Sequence, residues 1–179
     1  MEVYVAVCSP ARQRAYEVLA EAAARTWGIS PLPEVARQKG GKPYFSAHPC
    51  WEFNLSHSGE MVFCALDEKP VGADIQVVRQ LRPNMPIRVC SSEELEWLRK
   101  GADQWERFTL LWTLKESRVK YTGTGLRQPI PSIRVPLPET EEALACQDGL
   151  FFRIYRGQGW YAAVCGETPP PERVKWLNL

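Results

Sequence analysis

Trp-Thr-Leu-Lys-Glu-Ser-Arg-Val-Lys-Tyr-Thr-Gly-Thr-Gly-Leu, residues 112–126, is the stretch on which the reading of this chain turns. Glu116 and Lys120 are four residues apart, a spacing that puts an acid and a base on one face of a helix. Phe108, Leu111, Trp112 and Val119 recur at helical spacing and extend that helix back to about Gln104. Gly123 and Gly125 punctuate its end after Tyr121. Taken alone, a glutamate four before a lysine is the common ornament of a solvated helix face, worth about 0.3–0.5 kcal/mol. Position raises its weight. Upstream, Val-Gly-Ala-Asp-Ile-Gln (71–76) reads as a buried strand over Val71 to Val78. Asp74 and Gln76 share one face of it, with Ala73, Ile75 and Val77 on the other. An aspartate in so apolar a strand requires a partner or a metal, because an unpaired buried charge is costly. Two acids on separate elements with a lysine nearby can hold a divalent cation against a phosphate.

The rest of the chain provides a frame for those residues. Its 179 residues suit one domain or two small halves, and 45% hydrophobic content allows a sizeable core. A net charge of +1 argues against bulk-charge nucleic-acid binding. No run approaches the ~20 apolar residues of a membrane helix, and the short apolar start Val3 to Val7 after Glu2 is not expected to be a signal peptide ahead of the six scattered cysteines. Reduced thiols and a cytoplasmic location are expected, with no nucleic-acid or membrane partner.

Met1 to Cys8 reads as a strand, and Ser9-Pro10 as the cap and first turn of a helix over Ala11 to Trp27. Gly40-Gly41-Lys42-Pro43 is a turn. Phe53 to Leu55 and Met61 to Leu66 are strands joined across Ser56-His57-Ser58-Gly59, followed by the strand that carries Asp74. A proline-rich joint at Arg82 to Pro86 opens the second half. Ser91 or Ser92 then caps a helix with Glu93 and Glu94 in its first turn, and the long helix follows after Gly101-Ala102-Asp103. Strands are expected at Ser132 to Val135, Leu150 to Tyr155 and Trp160 to Cys165, with Thr168 to Leu179 lying on the surface. Each half is helix plus strands, residues 1–78 and 79–179, which makes the class α+β. The halves do not repeat visibly in sequence. There is no G-x-G-x-x-G after a strand and no Walker lysine.

Ordered along the chain, Gly41-Lys42-Pro43, Phe53-Asn54-Leu55-Ser56-His57-Ser58-Gly59, Gly72-Ala73-Asp74-Ile75-Gln76 and Trp112-Thr-Leu-Lys115-Glu116-Ser117-Arg-Val-Lys120 with Gly123-Thr-Gly125-Leu126 resemble the Sfp-type 4′-phosphopantetheinyl transferases. The resemblance runs from about Gly41 to Leu126. It implies two similar α+β halves related by a pseudo-twofold axis in one monomeric chain, with coenzyme A in the cleft between them. The implied reaction moves the phosphopantetheine arm of coenzyme A onto a serine of an apo acyl, peptidyl or polyketide carrier protein and releases 3′,5′-ADP. By the same resemblance, Asp74 and Glu116 ligate Mg²⁺ beside the pyrophosphate and Lys120 stabilises the departing phosphate. Ser56, His57, Lys42 and Pro43 hold the phosphate region of coenzyme A, and Arg12 and Arg14 are candidates for its 3′-phosphate.

Two departures from the family pattern stand out. Gln76 occupies a position where many relatives carry a third acid, which predicts weaker Mg²⁺ binding or a water in place of that ligand. At Cys90-Ser91-Ser92-Glu93-Glu94 the aromatic is missing, and Glu94 is carried over as an acid lining the site. Arg79, Arg82, Met85 and Arg88 in the joint are candidates for docking an acidic carrier helix. Two other functions compete: a different Mg²⁺-dependent phosphoryl enzyme, and a non-catalytic module that binds a carrier protein or nucleotide, which Gln76 favours.

Overall fold

The computed structural model describes residues 1–125, 127–138 and 144–179. The first half runs β1 (Glu2–Val7), α1 (Ala11–Trp27), β2 (Val35–Arg37), β3 (Pro43–Phe45), β4 (Glu52–Ser58) and β5 (Met61–Asp67). The second runs β6 (Val71–Val77), α2 (Met85–Val89), α3 (Ser92–Arg99), α4 (Gln104–Thr122), β7 (Ala145–Gln147), β8 (Leu150–Gly157) and β9 (Trp160–Gly166), and β10 (Lys175–Leu177) ends the chain. One sheet has the order β10-β1-β5-β4 and the other β6-β9-β8-β7, while β2 and β3 form a separate hairpin.

Alternation along the central strands sorts side chains into layers. Tyr4, Ala6, Val62, Cys64 and Leu66 pack under α1 with Val18, Leu19, Ala22 and Ala23. The intervening residues Val3, Val5, Phe63 and Ala65 face Ala73, Ile75, Ala162 and Val164 of the other sheet. Ile154, Tyr161, Ala163 and Cys165 then pack under α4 with Leu111 and Leu114. The order is helix, sheet, sheet, helix, and the two halves mirror each other. In each, a strand leads into the long helix and returns as an antiparallel hairpin whose second strand pairs with the first: β1-β5-β4 in one, β6-β9-β8 in the other. Each long helix ends at a left-handed glycine, Gly28 at φ +68° and Gly123 at φ +66°, where a side chain would be strained.

Several local expectations are corrected. Helix α1 starts where predicted, but Pro10 holds the cap position and no side-chain cap bond forms, so Ser9 is not the cap. Ser56, His57 and Ser58 are not a turn. They continue β4 in register with Phe63, Val62 and Met61, and the reversal is the two residues Gly59-Glu60. The expected strand at Ser132 to Val135 is a 3₁₀ turn at Ile130–Ser132 followed by unpaired chain; Pro129, Pro131 and Pro136 remove the donors a ladder needs. Ile133 and Val135 are nonetheless buried beside α4. The C-terminal tail is not a surface appendage: β10 pairs parallel with β1, and Leu177 is 3% exposed. Strand β6 pairs with β9 of its own half, while β10, at the end of the chain, joins the first sheet.

Candidate active site at the seam between the halves

Strands β4 and β6 are edge strands of different sheets and run beside each other. They are joined by side chains instead of a backbone ladder. Asn54, Ser56 and Ser58 share one face of β4 because they alternate. Asn54 accepts from the Ala73 amide at 3.2 Å, Ser56 donates to Asp74 Oδ1 at 2.6 Å, and Ser58 accepts from the Val77 amide at 3.0 Å. This explains why a serine-rich strand is tolerated between apolar layers: its polar groups satisfy an otherwise open sheet edge.

Asp74 is the centre of the seam, with only 2% of its surface exposed. Its Oδ1 also accepts from Lys120 Nζ at 2.6 Å, and its Oδ2 accepts from the Gln76 amide at 2.9 Å. Three donors, one of them charged, compensate the burial of this carboxylate. Helix α4 approaches so closely because Gly72 lies beneath it; a Cβ there would stand 1.9 Å from the Ser117 carbonyl oxygen. Glu116 projects from the same helix. Burial raises its pKa first, the Asp74 charge raises it further, and Lys120 pulls it partly back. The two acids therefore share one electrostatic neighbourhood, although no direct Glu116–Lys120 pair forms among the described salt bridges. Lys120 prefers the strand.

A cavity of about 280 Å³ opens beside this cluster, walled by Gly40, Lys42, Pro43, Leu55, Glu116 and Lys120 among others. The Gly40-Gly41 turn grips the end of α4. A Cβ on Gly40 would stand 2.0 Å from the Gly123 carbonyl oxygen, and Lys42 Nζ donates to Glu52 Oε2 at 3.0 Å and to the Tyr121 carbonyl at 3.5 Å. This links the Gly-Gly-Lys-Pro and Gly-x-Gly stretches physically. His57 is exposed, and its pKa is lowered by burial, then by Lys120 and Arg12, with Asp74 opposing. A neutral imidazole still offers one N–H to an anion. Arg12 thus shares the field of the site. Arg14 is engaged instead with Glu17 at 2.9 Å on α1.

Glu94 is corrected as a site-lining acid. It is 5% exposed, completes the capping box of α3 with Ser91, and pairs with buried Lys115 at 2.7 Å. Lys115 also donates to the Val89 and Ile130 carbonyls, so the pair fastens α2, α3 and α4 together. Sequence reading named neither Glu52, the partner of Lys42, nor Asn54 as part of the seam. The polar alternation of 54, 56 and 58 was the signal for Asn54.

The comparisons with known proteins agree with this arrangement. A family model described as the 4′-phosphopantetheinyl transferase superfamily matches residues 70–165. A 4′-phosphopantetheinyl transferase of Bacillus subtilis is 36% identical over 156 residues, covering 83% of this chain and 70% of the relative. The 4′-phosphopantetheinyl transferase Sfp of Bacillus subtilis (strain 168) is 34% identical, covering 79% of this chain and 66% of the relative. The 4′-phosphopantetheinyl transferase AcpT of Escherichia coli (strain K12) is 36% identical over 160 residues, covering 84% and 76%. The chain thus spans about two thirds of the length of the Bacillus relatives it matches. With the helix of the matched region and the glycines that end it at the wall of the cavity, the chain belongs to the 4′-phosphopantetheinyl transferase superfamily.

Proposed function

We propose that this protein transfers the 4′-phosphopantetheine arm of coenzyme A to the serine hydroxyl of an apo acyl, peptidyl or polyketide carrier protein, releasing 3′,5′-ADP. The observation that carries the proposal is the meeting of Asp74, Glu116 and Lys120, from a strand and a helix, beside the seam cavity, whose wall includes Glu116 and Lys120.

Mg²⁺ is part of the reading, and the donor set fits it. Asp74 and Glu116 offer hard carboxylate oxygens, and the upward push of Asp74 on Glu116 is the repulsion a shared cation relieves. Among the described residues no group of three or more His, Cys, Asp or Glu forms a ready-made metal cage. That suits an ion which keeps waters and completes its shell with substrate phosphates. Asp74 and Glu116 would hold it. Gln76 turns its amide nitrogen toward Asp74, leaving its carbonyl oxygen for a direct or water-mediated contact. When bound, the ion supplies charge neutralisation at the pyrophosphate as its phosphoanhydride bond breaks.

The chain's own groups do the rest. Lys42, His57 and Arg12 present N–H donors to coenzyme A phosphates, and Pro43 fixes the chain next to Lys42; Ser56 holds Asp74 in place. Lys120, already at the seam, donates to the oxygen on which charge collects as 3′,5′-ADP departs. Glu116, which α4 places at the cavity wall, accepts the proton of the carrier serine as its Oγ attacks phosphorus and the bond to the departing 3′,5′-ADP breaks. The coenzyme side of this division of labour is residues 1–78. Residues 79–179 form the lysine and carrier side, with Arg79, Arg82 and Arg88 and the exposed Ile87 of α2 toward an acidic carrier helix. One chain completes the cleft, so a monomer suffices. The six cysteines are free thiols, compatible with a cytoplasmic enzyme. No helix among the described residues is long and apolar enough to cross a membrane.

The test is direct. Protein, coenzyme A, Mg²⁺ and an apo carrier protein are mixed, and the carrier is weighed by mass spectrometry. A gain of one phosphopantetheine arm is expected. An unmodified carrier across a panel of acyl, peptidyl and polyketide carriers overturns the proposal in favour of a binding module.

A further inference from the structure

The polar face of β4 extends one step past the seam. Glu52 alternates with Asn54, Ser56 and Ser58 and so shares their face. Those three side chains reach β6, whereas Glu52 accepts from Lys42 Nζ at 3.0 Å. Directly across the ladder from Glu52 is another acid, Asp67. Asp67 is already occupied by the N-terminal amine at 3.6 Å and by the Thr168 hydroxyl. Like charges opposite each other on a sheet are destabilising, so a carboxylate at position 52 has a cost that a neutral amide there would avoid.

What offsets that cost is Lys42. The lysine side chain is 7% exposed and that of Glu52 21%. The stem of Lys42 lies along the end of α4, where a Cβ on Gly123 would stand 3.3 Å from Lys42 Cδ. The Tyr121 carbonyl, at the negative end of the helix, accepts from the amine at 3.5 Å. The amine therefore has two negative partners inside the protein, one of them a full charge. An ammonium has three N–H donors, which leaves one for an anion in the cavity. Lys42 is a wall residue of that cavity and, among the described residues, Glu52 is not. Glu52 thus meets a bound anion by way of Lys42.

We propose that Glu52 is a positioning residue that moderates the grip of Lys42 on the phosphates of coenzyme A: it holds the amine against the end of α4 and keeps part of its charge from the ligand, so that 3′,5′-ADP is released. This role rests on the coenzyme A site proposed above. The product keeps the 3′- and 5′-phosphates of the adenosine, so a cation that grips substrate and product alike lowers KM without raising kcat. A lysine without a partner would act in that way. With a carboxylate 3.0 Å from it, the amine is a weaker anchor, and the product leaves sooner.

The experiment is calorimetric titration of the full chain with coenzyme A and, separately, with 3′,5′-ADP. Wild type, Glu52→Gln, Lys42→Met and the double variant are compared, each checked for folding by circular dichroism. Glutamine keeps the shape of Glu52 and an oxygen that accepts from Lys42, so Glu52→Gln removes the charge and spares the tether. It should tighten both ligands about three- to tenfold. Lys42→Met should weaken them roughly tenfold, and in that background Glu52→Gln should change affinity by less than about twofold. In the carrier assay, Glu52→Gln should lower KM for coenzyme A with no rise in kcat. A merely structural Glu52 would move stability and leave these affinities alone. Unchanged or weaker binding in Glu52→Gln, or an equal gain without Lys42, overturns the proposal. The transfer reading fails separately: a wild type that binds coenzyme A and leaves every carrier unmodified refutes transfer, while the titrations still decide the role of Glu52. Absence of coenzyme A binding by the wild type overturns both.

Discussion

The C-terminal turns of α1 and α4 are built on one plan and do different things. Three residues before its left-handed glycine, each helix has a cation, Arg25 or Lys120, and seven before it a glutamate, Glu21 or Glu116. In α1 the two side chains pair with each other on the surface, Arg25 Nε to Glu21 Oε1 at 2.7 Å. In α4 Lys120 turns to Asp74 instead, and Glu116 is left half-buried with a raised pKa. The strand beneath decides. Three residues before its end, β6 carries Asp74, whereas β1 carries Tyr4, which closes on Thr26 of α1 through a neutral hydroxyl pair at 2.9 Å. The same i, i+4 spacing is surface decoration in one half and a strained charge cluster in the other, and a single facing residue separates the two outcomes.

That contrast can be broken most forcefully by removing the cation from each helix. Lys120→Ala should lower carrier modification by about 10²–10³-fold, the loss typical of an electrostatic group aimed at developing charge. Arg25→Ala should leave the rate unchanged and cost under about 0.5 kcal/mol of stability, as for an exposed helix pair. Equal effects of the two on transfer kinetics would erase the distinction.

A stability measurement sharpens it. The native pKa of Glu116 is raised above its ordinary 4.5, so the folded protein binds that proton more tightly than the unfolded chain does. The associated stability is present below the unfolded pKa and is lost as pH rises through the folded value. At neutral pH without ligand, the Glu116 charge is therefore a burden. Glu116→Gln should raise Tm at pH 7, with the gain shrinking toward pH 4, while transfer is lost. Glu21→Gln in the other helix should show no such gain. A fall in Tm for Glu116→Gln at pH 7 would contradict the picture of a carboxylate held against the preference of the fold.

The smallest expected effect concerns the strands. Ser58→Ala deletes the acceptor of the Val77 amide at the seam. It should cost about 1 kcal/mol, seen as a fall of roughly 2–4 °C in Tm.

Much of this was legible in the sequence where local chemistry and tertiary role coincide. The helix over Ala11 to Trp27 and the strand carrying Asp74 follow from periodicity and glycine stops, and the four ordered motifs converge on one seam. The reading failed where a distant partner decided the outcome. Ser56-His57-Ser58 looked like a turn because its polar groups are satisfied by β6, a strand of the other sheet. Glu94 was carried over from the family pattern as a site acid, and its buried partner, Lys115, is 21 residues away. The tail looked exposed because the edge of β1 that recruits Leu177 lies at the opposite end of the chain. The repeat itself was hidden because the corresponding residues, Tyr4 and Asp74 or Tyr155 and Ser56, keep their positions and not their chemistry.

The central claim is that the carboxylates of Asp74 and Glu116 act on one cation. It is tested most directly by titrating Mg²⁺, or Mn²⁺ as a spectroscopic substitute, into the protein with coenzyme A present, for wild type, Asp74→Asn, Glu116→Gln and the double variant. If they share an ion, each single change should weaken binding nearly as much as both together, since loss of either breaks the same site. Losses that add independently, or metal binding that ignores either substitution, would contradict the account.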